Sequence, residues 1–419
     1  MKQGKPKGGK RSEATSRLGQ ATRIKRTQYA QFHFISSDWS EFVPSDVRVK
    51  SLGNKVVGFS GLTNVLINFD TEKLMAFAEL SSIEWISVYG LLRSGIGEKT
   101  ISQLVEKGFA YFDDVSEWSV FLRSKEELIT NTGWKSSSYM CHVANMWQDM
   151  SQSLGDYGRL DAFDEFLPNE KDPRSILPAL CPAPPALYRR EDALSRVQLK
   201  SETTQGHLTN LLRKRRSRRW FTDESLKRKH LSELLENAFG WLATRKPMPT
   251  LTVVRKSSPS GGCLHPTECY VLVMNVEGIS PGYYHYNVAE HSLDLLRGLT
   301  CEEAVKDAQE IASGQYYFRS AAICLILATR FDRLFWKYSD HAKAYAASWA
   351  DIGHISQTLY LLTTDMGIGM TFTAAISDAN ANVALGLDGV SQGSMAAIAC
   401  GNVHPELRRN LEMTFTPRV

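Results

Sequence analysis

Six prolines fall between positions 168 and 185: Pro168, Pro173, Pro178, Pro182, Pro184 and Pro185. Each removes a backbone donor, fixes φ and pushes the preceding residue away from helix. No helix and no sheet interior can run through such a stretch. The chain must therefore fold as units on either side of a linker, placed here at residues 151–200. A length of 419 residues accommodates two or three domains at ~150 residues each. Hydrophobic residues at 43% and charged residues at 22% supply enough apolar surface for cores, which excludes wholesale disorder. The longest uncharged apolar run, Ala321 to Ala328, is far short of the ~20 residues that span a bilayer. The basic N-terminus is followed by no apolar stretch and is not a secretory signal. Seven cysteines, an odd number without a CxxC pair, fit a reducing compartment, and the expected location is cytoplasmic.

Charge is unevenly spread. Residues 1–26 hold nine Lys or Arg against Glu13 alone, with Gly, Ser and Gln between them. That composition cannot offset chain entropy, so residues 1–27 are expected to be a disordered basic tail. A first unit spans 28–150. Short alternating stretches (Phe32 and Phe34, Val47 and Val49, Val56 to Phe59, Val65 to Phe69) read as strands. Asp70 or Thr71 then caps a helix carrying Leu74, Phe77 and Ala78. A second helix is expected over Ile83 to Leu92, a third from Gly97 to Gly108, and a strand over Phe109 to Phe112. This is the outline of a winged helix, which can bind DNA, bind a peptide or serve as structure. The third helix carries Glu98, Lys99, Glu106 and Lys107, which nearly cancel, whereas a DNA reader needs excess positive charge. Nucleic acid is accordingly disfavoured, and the net charge of +4 adds little weight to it.

The second unit spans 201–419. A helix over Leu226 to Phe239 places Leu231, Leu234, Leu235 and Ala238 on one face. Cys269 to Asn275 and Ala321 to Thr329 read as buried strands. A long helix over Ala344 to Met366 shows Trp349, Ile352, Ile355, Leu359 and Leu362 at spacings of three and four and stops at Gly367. The class is α+β. No P-loop, Rossmann, HExxH or GxSxG pattern is present. Cys263, His265, Glu268 and Cys269 match no standard zinc spacing, so no metal is expected. Three clusters remain. Arg215, Arg216, Arg218 and Arg219 surround the hydroxyl of Ser217, which suits an anion but also a solvated helix end. Ser257 to Gly262 ends in paired glycines that let backbone amides approach a flat ligand, or forms an ordinary loop. Lys337 and Tyr338 can exchange a proton if burial shifts their pKa values, or sit on the surface.

Taken in order, these clusters resemble the nitroreductase-like flavoproteins, and within them the SagB-type dehydrogenases of ribosomal-peptide maturation. The Arg-x-Ser-x-Arg opening is Arg215, Ser217 and Arg219; Pro-Ser-x-Gly is Pro259, Ser260 and Gly262; Pro-x-Glu-x-Tyr is Pro266, Glu268 and Tyr270. Gly282, Tyr284 and Tyr286, the pair Lys337–Tyr338, Asp351-x-Gly353-His354 with Gln357, and Gly386 to Gly389 follow. Trp134 and His142 resemble a W…H element that precedes the catalytic domain. The first unit is similar to small winged-helix modules that bind leader peptides. His265 stands where an aromatic is usual, and Ser339-Asp340-His341 replaces a Gly-x-Arg.

The resemblance implies a nitroreductase-like domain, a mixed sheet around a long central helix, that holds FMN at a homodimer interface. Arg215 and Ser217 would hold the phosphate, with Arg409 adding a contact. Arg219 would lie near the N1–O2 edge, and Pro259, Ser260 and Gly262 would approach the ring. Lys337 and Tyr338 would remove a proton from a peptide azoline while hydride passes to flavin N5, giving an azole, with oxygen as a possible acceptor. The implied partners are a precursor peptide and a cyclase or cyclodehydratase; no membrane is implied. Two alternatives stay open: an NAD(P)H-dependent flavin reductase of dehydroamino acids or of nitro or quinone compounds, and a non-catalytic peptide-binding scaffold.

Overall fold

The structure is a computed structural model and describes residues 23–35, 55–147, 187, 189–199, 205–249, 251–339 and 341–403. The stretch around Val47 and Val49, the prolines from Pro168 to Pro185, Asp340 and Arg409 lie outside the described residues. In the first unit, β1 (Arg23–Arg26), β2 (Ala30–Ile35), β3 (Lys55–Ser60) and β4 (Val65–Phe69) precede α1 (Thr71–Glu79), whose N-cap Asp70 accepts from the Lys73 amide. Then come β5 (Ile86–Ser87), α2 (Val88–Arg93), α3 (Glu98–Glu106), β6 (Ala110–Phe112), α4 (Glu117–Thr132) and α5 (Ser136–Asn145). Strands β2, β3 and β4 form one antiparallel sheet, and β5, β1 and β6 a second.

The run α1–β5–α2–α3–β6 keeps the winged-helix outline, but its third strand is β1, from the front of the chain. The boundary at residue 27 is thus too late. Ile24 is fully buried, and its neighbours stay bound because Arg23 pairs with Asp113 at 2.9 Å. The helix expected from Ile83 starts only at Val88, because Ile86 pairs with Ile24 and the Ser87 hydroxyl caps α2. Phe32, Phe69, Phe77 and Phe109 meet edge-to-face or tilted at the centre, with Phe69 5.0 Å from Phe109.

The second unit runs α6 (His207–Lys214), α7 (Arg228–Phe239), β7 (Ala243–Met248), β8 (Leu251–Arg255), β9 (Thr267–Val273), β10 (Gly282–Asn287), β11 (Ser292–Gly298) and α8 (Cys301–Ile311). It continues through β12 (Ile323–Arg330), α9 (Phe331–Tyr338), α10 (Ala344–Met366), β13 (Gly369–Thr373), α11 (Asp378–Leu385) and β14 (Gln392–Gly401). Six strands order as β11-β10-β9-β12-β14-β13. Every pairing between these strands is antiparallel; the parallel component expected of a mixed sheet is reduced to an isolated bridge, Leu226 to Val276.

Strand β12 is buried on both faces, and alternation sorts its side chains. Ile323, Leu325 and Leu327 join Ile352, Ile355 and Leu359 of α10 on one face. Cys324, Ile326 and Ala328 meet Ala304 and Ala308 of α8 and Ala381 of α11 on the other. The first of these cores continues into the first unit through Tyr29, Leu62, Trp134 and Tyr139, so the two units share it.

Where the first unit leaves this contact, the Trp147 amide donates to Asp378 Oδ2 at 2.9 Å, and the Ala379 amide donates to the Trp147 carbonyl at 3.1 Å. Burial pushes the Asp378 carboxyl up to about 7, against the opposing hydrogen bond from Trp147. Two outcomes follow. Ile24→Ala should lower stability by about 2–4 kcal/mol, whereas Arg23→Ala should cost less than about 1 kcal/mol, both read by urea unfolding. A native pKa above the unfolded value makes the Asp378 contribution complete below about pH 4 and lost as pH rises through about 7. Asp378→Asn keeps an acceptor for Trp147, so its unfolding midpoint should fall less than wild type across that window.

Candidate functional site

The segment after β8 is held by α10, one side chain per turn. Ser258 and Thr358 share a hydroxyl hydrogen bond of 2.7 Å. His354 Nδ1 lies 3.2 Å from the Pro259 carbonyl, which can only accept, so Nδ1 carries the proton. Asp351 takes the Ser260 hydroxyl at 2.5 Å and the Gly261 amide at 3.2 Å, and Ser260 Oγ in turn accepts from the His265 amide at 2.9 Å. Burial pushes the Asp351 carboxyl up, opposed by those two donors. Three residues here are left-handed: Gly262 (φ +62), Cys263 (φ +56) and His265 (φ +46). Only the glycine adopts this conformation freely, so the other two hold strain that the Asp351 contacts must balance. Burial brings His265 down to about 4, so its ring is neutral.

Gly262 is where the loop meets α9. A Cβ on residue 262 would stand 2.5 Å from the Tyr338 hydroxyl and 2.7 Å from Lys337 Nζ. The structure therefore brings Gly262, Lys337 and Tyr338 together, with both polar atoms aimed at one point on the loop. Lys337 is exposed and Tyr338 half-buried, so the burial invoked to tune them is not supplied by the described residues of a single chain.

The arginine cluster reaches α10 further along, beyond Asp351. Ser217 Oγ lies 2.9 Å from the Tyr360 hydroxyl, the Arg215 guanidinium sits 5.2 Å over the Tyr360 ring, and the Tyr360 oxygen accepts from the Phe372 amide at 3.1 Å. The Arg218 amide donates to the Met370 carbonyl at 2.8 Å, which lays the segment along β13. Arg219 diverges: its guanidinium stacks 5.7 Å over Tyr317. Asp351 and Tyr360 are nine residues apart, or about 13.5 Å along the axis. Two separate anchor points thus share one helix, one cationic and one flat and glycine-lined. A phosphate suits the first and a planar ring the second, so the donor set fits FMN.

Tyr360 carries no motif signal and was legible only as a polar residue on the apolar helix. A second group beneath the loop also lacks one. Glu268 lies 3.3 Å from His285 Nε2 and 3.7 Å from Arg330, and Tyr270 accepts from Gln392 at 3.1 Å. Burial raises Glu268, but His285, Lys256 and Arg330 outweigh it and hold the carboxyl below its ordinary value. Burial also lowers Lys256, which lines a cleft of about 270 Å³ (open solvent included) with Phe239, Ser258, Ser260, Asp351 and Ile355. Among the described residues no group of three metal-ligating side chains gathers; Cys269 is buried inside β9 while Cys263 is exposed. A methyl at residue 262 must displace the Lys337–Tyr338 pair. Gly262→Ala should therefore lower turnover about tenfold or more, measured as kcat, with the unfolding midpoint moved by only a few degrees.

Comparison with known proteins places this geometry. A family model described as "Nitroreductase family" matches residues 212–402, from within α6 to just past β14, leaving the first unit outside the match. "Putative nitroreductase MJ1384" of Methanocaldococcus jannaschii is 32% identical over 171 residues, 41% of this chain and 80% of that protein. "Trifolitoxin-processing protein TfxB" of Rhizobium leguminosarum bv. trifolii is 32% identical over 147 residues, 34% of this chain, which spans only 39% of that relative. A chain of the E. coli microcin synthetase McbBCD complex with truncated pro-MccB17 bound superposes with a TM-score of 0.47 at 18% identity, covering 70% of this chain and 99% of that one. The match to most of MJ1384 and the fold described above establish that the chain belongs to the nitroreductase family.

Proposed function

We propose that this protein is an FMN-dependent dehydrogenase of ribosomal-peptide maturation that oxidises peptide azolines to azoles. The observation that carries the reading is the meeting of Gly262 with Lys337 and Tyr338 of α9, on a loop held by α10, the helix that also anchors Arg215 and Ser217. Family membership supports the flavin, and the printed name of TfxB supports a peptide-processing role. Arg215 and Ser217 would bind the phosphate, Arg219 and Arg409 would add positive charge, and Pro259, Ser260 and Gly262 would face the ring. Bound flavin supplies a two-electron acceptor for the hydride lost from the azoline ring. Lys337 and Tyr338 hold the proton-transfer atoms, Nζ and the phenol oxygen, and take the ring-carbon proton.

A second copy of the chain would complete the site. Helix α6 buries none of its residues and exposes Leu208 and Leu212, while the isolated hairpin β7–β8 and its approach expose Trp241, Leu242 and Met248. Ala346, Ala350 and Gly353 are exposed along α10. An isolated two-stranded hairpin is marginal in water, so an apolar cover suits it. The first unit would hold the precursor's leader and raise the local concentration of its modifiable core, with a cyclodehydratase as the upstream partner.

Purified protein should show a flavin spectrum and release FMN on denaturation, and should convert an azoline peptide to the azole with oxygen as acceptor. Lys337→Ala combined with Tyr338→Phe should keep FMN and lose turnover. Rapid bleaching by NADPH without azoline oxidation would instead establish a flavin reductase, which membership of the nitroreductase family also favours. Colourless protein that cannot be reconstituted with FMN would leave a peptide-binding scaffold.

A further inference from the structure

The first unit touches the helix that carries Lys337 and Tyr338, and it does so at both ends of that helix. Helix α4 closes on Gly133 in the left-handed conformation, φ +89. A Cβ there would stand 3.2 Å from Phe335 Cβ and 3.5 Å from Ser339 Cβ, so the turn lies directly on the last turn of α9. Trp134 comes next, 5% exposed, with its ring 4.6 Å from both Phe331 and Phe335. Its Nε1–H donates to the Val390 carbonyl at 2.8 Å. His142 stacks on the indole at 5.0 Å and places Nε2 3.1 Å from the Gly389 carbonyl. That carbonyl can only accept, so Nε2 carries the proton and Nδ1 accepts from the Tyr345 hydroxyl at 3.2 Å. The same 389–391 turn accepts the Asp332 amide through Ser391 at 3.2 Å, which fixes the start of α9.

Helix α9 has eight residues, too few to be stable alone, so its register is set by what packs on it. Its buried residues, Phe331, Leu334 and Phe335, face inward. Phe331 and Phe335 grip the Trp134 ring, while Lys337 and Tyr338 follow within one turn and reach Gly262. A rotation by one residue, about 100°, would carry both polar atoms off the loop.

We propose that Gly133 and Trp134 of the first unit are positioning residues for the Lys337–Tyr338 pair, setting the register of α9 against the glycine loop. This rests on the reading of that pair given under Proposed function. It makes the first unit part of the site's construction in addition to any hold on the peptide.

Gly133→Ala and Trp134→Phe, made in the full chain with flavin bound, test it. The first pushes a methyl against Phe335; the second keeps an aromatic ring but removes the indole donor and the volume of the fused ring. The rate at which an acylating reagent labels Lys337 is followed against pH by peptide mass spectrometry, with Lys306, three-quarters exposed on α8, as the internal control. The expected result is a change of about threefold or more in the labelling rate at Lys337, with Lys306 unchanged and flavin content retained. In the same preparations kcat should fall about tenfold with KM nearly constant. Wild-type labelling of Lys337 in both variants would overturn the proposal, as would a loss of kcat that only tracks lost flavin or lost folded protein. Labelling reports the geometry whether or not the pair is catalytic. If Lys337→Ala with Tyr338→Phe keeps turnover while labelling still shifts, the functional reading falls and the positioning stands.

Discussion

The Asp351 carboxylate, 4% exposed, holds the Ser260 hydroxyl and the Gly261 amide at once, and the rest of the site is measured from the helix that carries it. Helix α10 rises about 1.5 Å per residue. Tyr345 meets the first unit, Asp351 and His354 the glycine loop, Thr358 its approach, and Tyr360 the arginine segment. Three separate parts of the chain are thus spaced by one element buried against the sheet. A loop with left-handed residues at 263 and 265 costs of order 1–3 kcal/mol for each, and it persists because a buried acceptor over-determines it.

Burial sorts the titratable groups by task. His142 and His265 are neutral, His142 inside the joint between the units and His265 behind the loop. Glu268 stays ionised because three cationic or titratable partners surround it. Lys337 and the arginine segment, by contrast, lie toward solvent. At the candidate site the positive charge of Lys337 and the arginine segment lies outward, while the neutral His265 ring lies within. That arrangement suits an anionic ligand arriving from outside better than a charge built into the core.

Much of this was legible in the sequence where one periodicity dominates. The apolar spacing over 344–366 yields α10 residue for residue, because a long buried helix repeats its signal over six turns. The motif on it, Asp351-x-Gly353-His354, was legible by resemblance, but its pairing with Pro259, Ser260 and Gly261 was not. Nor was Tyr360, since a polar residue on an apolar helix has no pattern until its partners are known. Strand β1 escaped because Arg23, Lys25 and Arg26 look like tail; a strand that fully buries one residue, Ile24, can carry charge at its other positions. Helix α2 was placed five residues early because Ile86 has helical spacing to Tyr89 and Gly90, and only its pairing to Ile24 withdraws it. The divergence of Arg219 toward Tyr317 depends on a contact almost a hundred residues away that no local pattern encodes.

The place of β1 also bears on how the molecule assembles as it is made. It is the middle strand of β5-β1-β6, yet it is the earliest of the three to leave the ribosome. Its partners Ile86 and Tyr111 are separated from it by the whole of the other sheet and by one and three helices respectively. The helices and the β2–β3–β4 meander can form from local contacts while β1 waits unpaired. The winged sheet is then a late, high-contact-order closure, slow by comparison with the elements it encloses. During that interval the chain presents a short strand edged with arginine and lysine, and the charge that disguises it as tail is what guards it against pairing with the wrong neighbour.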